Sequence, residues 1–257
     1  MNLKELYQLY SKNHRIDTDT RNIRKDSLFF GLKGDRFNGN HFAKQALDKG
    51  AAFSVIDEKE FEIPGATILV ENVLKTLQEL ARYHRRQLGI SILGITGSNG
   101  KTTTKELINA VLQTQFKTIA TEGNLNNHIG VPLTLLSFTS ETEIGIVEMG
   151  ANHQKEIEFL CSICEPDIGY ITNFGKAHLE GFGGIEGVIK GKSELYGYLR
   201  QHQKTVLVNT SDSKQIELTQ GIKSIELSDS VIKTSEQPFL EVVYQNQRIC
   251  TKLGGHL

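Results

Sequence analysis

The sequence contains no apolar run approaching the ~18 residues a helix needs to cross a bilayer. Its opening segment, MNLKELYQLYSKNHR, is an amphipathic helix carrying a Glu, not a basic stretch followed by an apolar one. No membrane insertion is expected, and the expected location is the cytoplasm. Charge of one sign is also missing: 29 basic and 30 acidic residues leave a formal net charge of -1. A nucleic-acid partner requires a concentrated basic face, so none is expected. Repeats and low-complexity tracts are absent, which removes solenoids and disordered linkers. Cysteine is scarce, with three residues at Cys161, Cys164 and Cys250. The first two form C-x-x-C, which invites a redox or zinc reading. Zinc needs about four ligands, and no second Cys pair or nearby His pair completes a set. Ile157, Leu160, Cys161 and Cys164 have the spacing of one buried helical stripe, where free Cys packs as a small hydrophobe.

What is present is an α/β pattern in two blocks. At 257 residues, 38% hydrophobic and 23% charged, the chain can bury one large core or two modest ones. In the first block, after the opening helix, SLFFGL (27–32) reads as a strand and HFAKQALDKG (41–50) as a helix stopped by Gly50. AAFSVI and ATILVE read as short strands, and NVLKTLQELARYHRRQL as a strongly periodic helix ending at Gly89. The second block alternates strands at 90–96, 143–149, 167–173 and 205–209 with helices at 101–113, 153–164 and near 185–200. Such alternation predicts right-handed βαβ units and a mostly parallel sheet flanked by helices. The expected domains are 1–87 and 88–257. Beyond about residue 211 the pattern weakens to polar segments and a hairpin in FLEVVYQNQRICTKL.

The most informative stretch is ILGITGSNGKTTTKE. A buried strand runs into Gly97, Ser98, Asn99, Gly100, Lys101, Thr102 and Thr103, which open a helix. Glycines let successive N–H groups turn toward phosphate oxygens, and the helix start adds its own unpaired N–H groups. Lys101 can reach the β- and γ-phosphates, and the Thr102 hydroxyl can ligate Mg²⁺. Ile95 stands where the longer G-x-x-x-x-G-K-[ST] loop has its first Gly, so this is the shorter T-G-x-x-G-K-T-T form. The loop is expected to bind ATP with Mg²⁺.

Glu148 ends the strand GIVE, where a nucleotide-binding sheet places a carboxylate toward the metal. His178, in NFGKAHLEGFG, follows another strand at the same rim, a place for a neutral imidazole facing metal or phosphate. Lys192 is different: an ammonium cannot ligate a cation, and only carbamylation by CO₂ would make it an anionic oxygen donor.

At these residues the chain closely resembles the Mur ligases, ATP-dependent enzymes that add amino acids to the peptidoglycan precursor. TGSNGKTTTKE resembles their ATP loop. TEGNLNNHIGVPLTLL, VEMGANHQKEI and PDIGYITNFGKAHLEGFG resemble the member that adds the terminal dipeptide D-Ala-D-Ala to UDP-N-acetylmuramoyl-tripeptide. The member adding the third residue carries a Thr-rich stretch where this chain has Asn124-Leu125-Asn126-Asn127, and the same position tells against folylpolyglutamate synthase. DTDTRNIRKDSLFFGLKGDRFNGNHF is similar to the family's UDP-sugar-binding domain, implying that Thr20, Arg21 and the loop 33–40 lie near the uridine and its phosphates. The resemblance further implies that Asn124, Asn126 and Asn127 bind the muramoyl-peptide, and that Glu148 and His178 sit by the metals. It implies a carbamylated lysine at Lys192, or at nearby Lys190, with Gly191 in place of the family's Ala. The chain stops at TKLGGHL, near the end of the family's central domain, implying a monomeric ligase truncated before its C-terminal Rossmann-like domain. The implied chemistry is an acyl phosphate formed from the tripeptide carboxylate and ATP, with Lys101, Glu148, His178 and Lys192 as catalytic residues. The alternatives are another Mur or folylpolyglutamate-synthase-like ligase, or a P-loop module without ligase activity.

Overall fold

The computed structural model describes residues 1–176, 178–227, 231–235, 241–244 and 247–250. The chain opens with α1 (Leu3–Asn13), started by a reciprocal cap in which Asn2 accepts from Glu5 N–H and Glu5 accepts from Asn2 N–H. There follow β1 (Ile16–Asp17), β2 (Leu28–Phe30), the small hairpin β3 (Lys33–Gly34) and β4 (Phe37–Asn38), α2 (Ala43–Asp48), β5 (Phe53–Ile56) and β6 (Thr67–Leu69). The long α3 (Val73–Leu88) is capped by Asn72 and stopped by Gly89 in the left-handed region. The second block comprises β7 (Ser91–Thr96), α4 (Lys101–Leu112), β8 (Thr118–Ala120), α5 (Gly130–Leu135), β9 (Ile144–Glu148), α6 (Glu156–Cys164) and β10 (Ile168–Ile171). It continues with α7 (Leu179–Phe182), α8 (Ile185–Lys192), α9 (Glu194–Gln201), β11 (Thr205–Asn209), α10 (Ser213–Thr219) and β12 (Lys223–Leu227). Strands β13 (Val231–Ser235), β14 (Glu241–Tyr244) and β15 (Gln247–Cys250) form an antiparallel sheet.

Strands β1-β2-β5-β6 make a four-stranded parallel sheet, and β12-β11-β10-β7-β9-β8 a six-stranded parallel one. Alternation along the central strand separates two faces. Ile92 joins the large core shared with α3, α5, α6 and α9, whereas Leu93 and Ile95 pack with Ile108 and Leu112 of α4. Both faces are therefore covered, as fully apolar strands require.

Several expectations need correction. The single helix near 185–200 is two, α8 and α9, meeting at Ser193. The helix predicted at 41–50 begins as a 3-10 turn over Gly39–Phe42, and that predicted at 153–164 begins only at Glu156. The stretch after 211, read as polar segments and a hairpin, also contains α10 and the edge strand β12. Every β12 residue is exposed, so it carries no apolar alternation to betray it. The hairpin is present in β14 and β15, while TKLGGHL lies outside the described residues. Cys161 and Cys164 are buried, their sulfurs 3.9 and 3.7 Å from Met149 Sδ, and burial pushes both thiols up. That is core packing. Among the described residues no helix is long and apolar enough to cross a membrane, and no cluster of three or more His, Cys, Asp or Glu could hold a metal ion.

The first block is bonded to the second by buried polar contacts. Tyr10 donates its hydroxyl to Leu136 O at 2.8 Å, and His84 bridges Tyr7 Oη (3.2 Å) and Phe138 O (3.0 Å). Arg85, 9% exposed, donates to Asp167, which also accepts from Lys204 and from the Ile92 N–H. Burial holds the His84 imidazole below its ordinary proton affinity, helped by the His14 charge and opposed by the Phe138 carbonyl. The unfolded chain therefore takes up the proton first. The stability due to neutral His84 is complete above its ordinary pKa of about 6.5 and is lost as pH falls below it. Urea unfolding at pH 7.5 and 5.5 should show lower stability at the acid value. His84→Gln should cost about 1–2 kcal/mol at pH 7.5 and flatten that dependence.

Candidate active site

Chain order decides where the loops meet. From β7 the chain moves outward to β8, returns to β9, and then crosses β7 to reach β10 on its other side. The carboxyl ends of the neighbours β9, β7 and β10 thus share one crevice, the place where an open parallel sheet binds ligands. The segments leaving them carry the phosphate loop, Glu148 and His178.

Gly97 takes φ +142°, and a Cβ there would lie 2.0 Å from Thr172 Oγ1. Glycine is required on both counts. Gly100, at φ +74°, turns the chain into α4. The loop is fastened to the segment after β10. Ser98 N–H donates to Asn173 O (3.1 Å) and Ser98 Oγ to Gly175 O (3.0 Å), while Asn99 O accepts from Thr172 Oγ1 (2.6 Å) and Asn173 Nδ2 (3.0 Å). Lys101 Nζ curls back onto Gly97 O (2.9 Å) and Ser98 O (3.3 Å). Burial lowers its proton affinity, and the Glu148 charge opposes that.

Glu148 is 1% exposed. Thr102 Oγ1 donates to its Oε2 and Asn126 Nδ2 to its Oε1, each at 2.9 Å, and its own N–H donates to Thr121 Oγ1 at 2.9 Å. Lys101, Asn126, Asn127 and His178 line one cavity of about 620 Å³ together with Gly150–Asn152 and α6. His178, exposed and in the left-handed region at φ +55°, stands at the start of α7. Lys192 lies behind the wall, 1% exposed, donating to Ala151 O at 3.0 Å with the Phe182 ring centroid 5.0 Å away. Its proton affinity is pushed down to about 8 by burial and by the Lys101 charge, against Glu156 and Glu194. Lys190 is exposed. A Cβ on Gly191 would meet Phe182 Cε1 at 2.4 Å, so the glycine there makes room for the ring beside Lys192.

Thr103 and Asn124 are exposed and do not line this cavity. Thr20 and Arg21 border a separate hollow of about 440 Å³ with the stacked rings Phe37 and Phe42, whose centroids are 5.2 Å apart. Arg21 is held by Asp19, and Thr20 Oγ1 donates to Gln45 Oε1 at 2.9 Å. Lys33 of the 33–40 loop pairs with Asp57 at 3.0 Å.

Sequence reading missed the residues that hold this site in shape. Thr121 supports Glu148, Asn173 and Thr172 hold the phosphate loop, and Glu194 accepts from Lys155 N–H (2.5 Å) and Glu158 N–H (3.0 Å) at the start of α6. None belongs to a local pattern; each is 27 or more positions from its partner. The Gly97 geometry gives a direct test. Gly97→Ala should lower unfolding free energy by roughly 2–4 kcal/mol, from left-handed strain plus the clash at Thr172, measured by urea denaturation. Gly183→Ala, whose Cβ would meet nothing within 4 Å, should cost less.

The profile of the Mur ligase middle domain matches residues 95–254, and that of the Mur ligase family catalytic domain matches residues 12–87. The UDP-N-acetylmuramoyl-tripeptide–D-alanyl-D-alanine ligase of Bacillus subtilis is 43% identical over 190 residues, covering 73% of this chain and 42% of that protein. The Escherichia coli enzyme of the same name is 40% identical over 187 residues, covering 73% and 41%. A crystal structure of MurF from Acinetobacter baumannii superposes with TM-score 0.81 at 30% identity, covering 93% of this chain and 55% of that one. MurF from Thermotoga maritima in complex with ADP gives 0.78 at 28% identity, covering 95% and 58%. The chain thus spans about half the length of these relatives. With profiles of two consecutive family domains matched along it, the chain belongs to the Mur ligase family.

Proposed function

We propose that this chain is the acyl-activating part of an ATP-dependent ligase that joins D-Ala-D-Ala to UDP-N-acetylmuramoyl-tripeptide. One observation carries the reading. A phosphate loop, a buried carboxylate and a cavity lined by Lys101, His178, Asn126 and Asn127 adjoin at one sheet rim. In this reading the cavity admits the tripeptide carboxylate, and the hollow at Thr20, Arg21 and Phe37 admits the uridine end. Two of its three substrates, ATP and the UDP-linked tripeptide, are nucleotides, so the reaction belongs in the cytoplasm.

The donor set suits a hard divalent cation: a carboxylate and a hydroxyl already 2.9 Å apart beside the loop. Thr102 and Glu148, with His178 and a carbamylated Lys192, would hold Mg²⁺. When bound it would neutralise charge on the transferring phosphoryl group. The chain's own residues do the remaining work. The N–H groups from Gly100 to Thr102 cradle the phosphates, and Lys101 releases the loop carbonyls to follow the γ-phosphoryl as its charge spreads. His178 and Asn127, on the cavity wall, hold the substrate carboxylate in line. A carboxylate is a poor acylating agent; its attack on the γ-phosphorus, with ADP leaving, makes an acyl phosphate. The D-Ala-D-Ala amine then attacks that carbonyl, and phosphate departs. Lys192 suits carbamylation because its burial leaves roughly one amine in ten neutral at pH 7, and only the neutral amine attacks CO₂.

Calorimetric titration with UDP-N-acetylmuramoyl-tripeptide tests the substrate assignment: saturable binding is expected, and a P-loop module without ligase chemistry would show none. Lys101→Ala should weaken ATP binding at least about tenfold and abolish turnover in the full-length enzyme; near-normal ligation would end this reading. Mass spectrometry of CO₂-equilibrated protein should show an acid-labile gain that Lys192→Arg removes and Lys190→Arg does not.

A further inference from the structure

Asn126 stands where the cavity wall meets the phosphate-loop helix. Its side-chain amide donates to Glu148 Oε1 at 2.9 Å, and its main-chain carbonyl accepts from Gly150 N–H at 2.8 Å. A Cβ on Gly150 would lie 2.9 Å from Asn126 Cγ and Oδ1, so the two segments are in direct contact. Gly150, Ala151 and Asn126 itself line the cavity. On its other oxygen Glu148 accepts from Thr102, in the first turn of α4. Hydrogen bonds therefore run from the cavity wall through Asn126 and Glu148 to the helix that the phosphate loop opens. Asn127, beside it, is committed elsewhere: its Oδ1 accepts from Ile129 N–H (3.1 Å) and Gly130 N–H (2.9 Å) at the start of α5.

Glu148 has almost no access to water, so an oxygen deprived of its donor stays unpaired at high cost. The carboxylate must therefore move together with its two donors. A ligand that orders the wall orders Asn126, and with it the carboxylate facing the nucleotide, so that cost is met once for two binding events. Resting on the reading above, we propose that Asn126 is a positioning residue that couples occupancy of the acyl-substrate cavity to binding of the magnesium nucleotide.

The test is calorimetry on the whole chain, titrating magnesium adenylyl-imidodiphosphate with and without UDP-N-acetylmuramoyl-tripeptide, and the reverse. The unsubstituted chain should show each ligand tightening the other by about tenfold, equally in both orders. In Asn126→Leu and Asn126→Ala, both of which remove the amide donor, that factor should fall to within about twofold of unity. A residue that served only the fold would weaken both ligands and leave the factor intact. Coupling that survives either folded variant overturns the proposal. So does tripeptide affinity that collapses with the factor unchanged, the mark of a direct substrate ligand. If the unsubstituted chain binds both ligands without coupling, the proposal fails alone. If it binds neither, the functional reading fails, and the proposal with it.

Discussion

A carboxylate that water barely reaches must have both oxygens hydrogen-bonded, and Glu148 imposes that requirement on everything around it. Its donors come from two different segments: Thr102 from the helix after the phosphate loop, and Asn126 from the turn before α5. Its main-chain N–H takes a third partner, Thr121, after β8. Two connections of the sheet, β7–β8 and β8–β9, are thereby fixed relative to the end of β9. The arrangement places oxygen donors, and not apolar side chains, at the mouth of the phosphate loop.

The sheet order is what makes this convergence possible. Because the chain crosses β7 between β9 and β10, the segments after three adjacent strands open on the same rim. Asn173 and Thr172, after β10, bond the loop that follows β7. The loop is thus built against a neighbouring strand end, which spares it from folding on local interactions alone. Under the proposed function, a backbone held this way would present the N–H groups at the start of α4 to phosphate without reorganisation.

The first block is fixed to this machinery by a set of polar contacts inside a continuous apolar core. Arg85 and Asp167, with Tyr10, His84 and the Leu136 and Phe138 carbonyls, hold α1 and α3 against the ends of α5 and α6, which cover the six-stranded sheet. The hollow at Thr20 and Arg21 thereby occupies a defined place on the same molecule as the cavity at Lys101. Under the proposed function, the two hollows would take the nucleotide end and the peptide end of one long substrate.

By itself the sequence determined the parallel α/β class, most strands and helices, and the phosphate loop. These rest on period, caps and glycines, which act within a few residues: Gly89 ends α3, and the apolar run 90–96 is the central strand. It also singled out Glu148, His178 and Lys192 as rim or helix residues. The edge strand β12 escaped because an exposed strand shows no apolar period, and the break at Ser193 because both flanking helices share one pattern. Only the tertiary structure decided that Lys192 is buried while Lys190 is exposed, that Asn126 serves Glu148, and that Phe182 needs a glycine at 191. The physical reason is distance along the chain. Burial, desolvation and hydrogen-bond satisfaction are set by partners tens of residues away, and only folding brings those partners together.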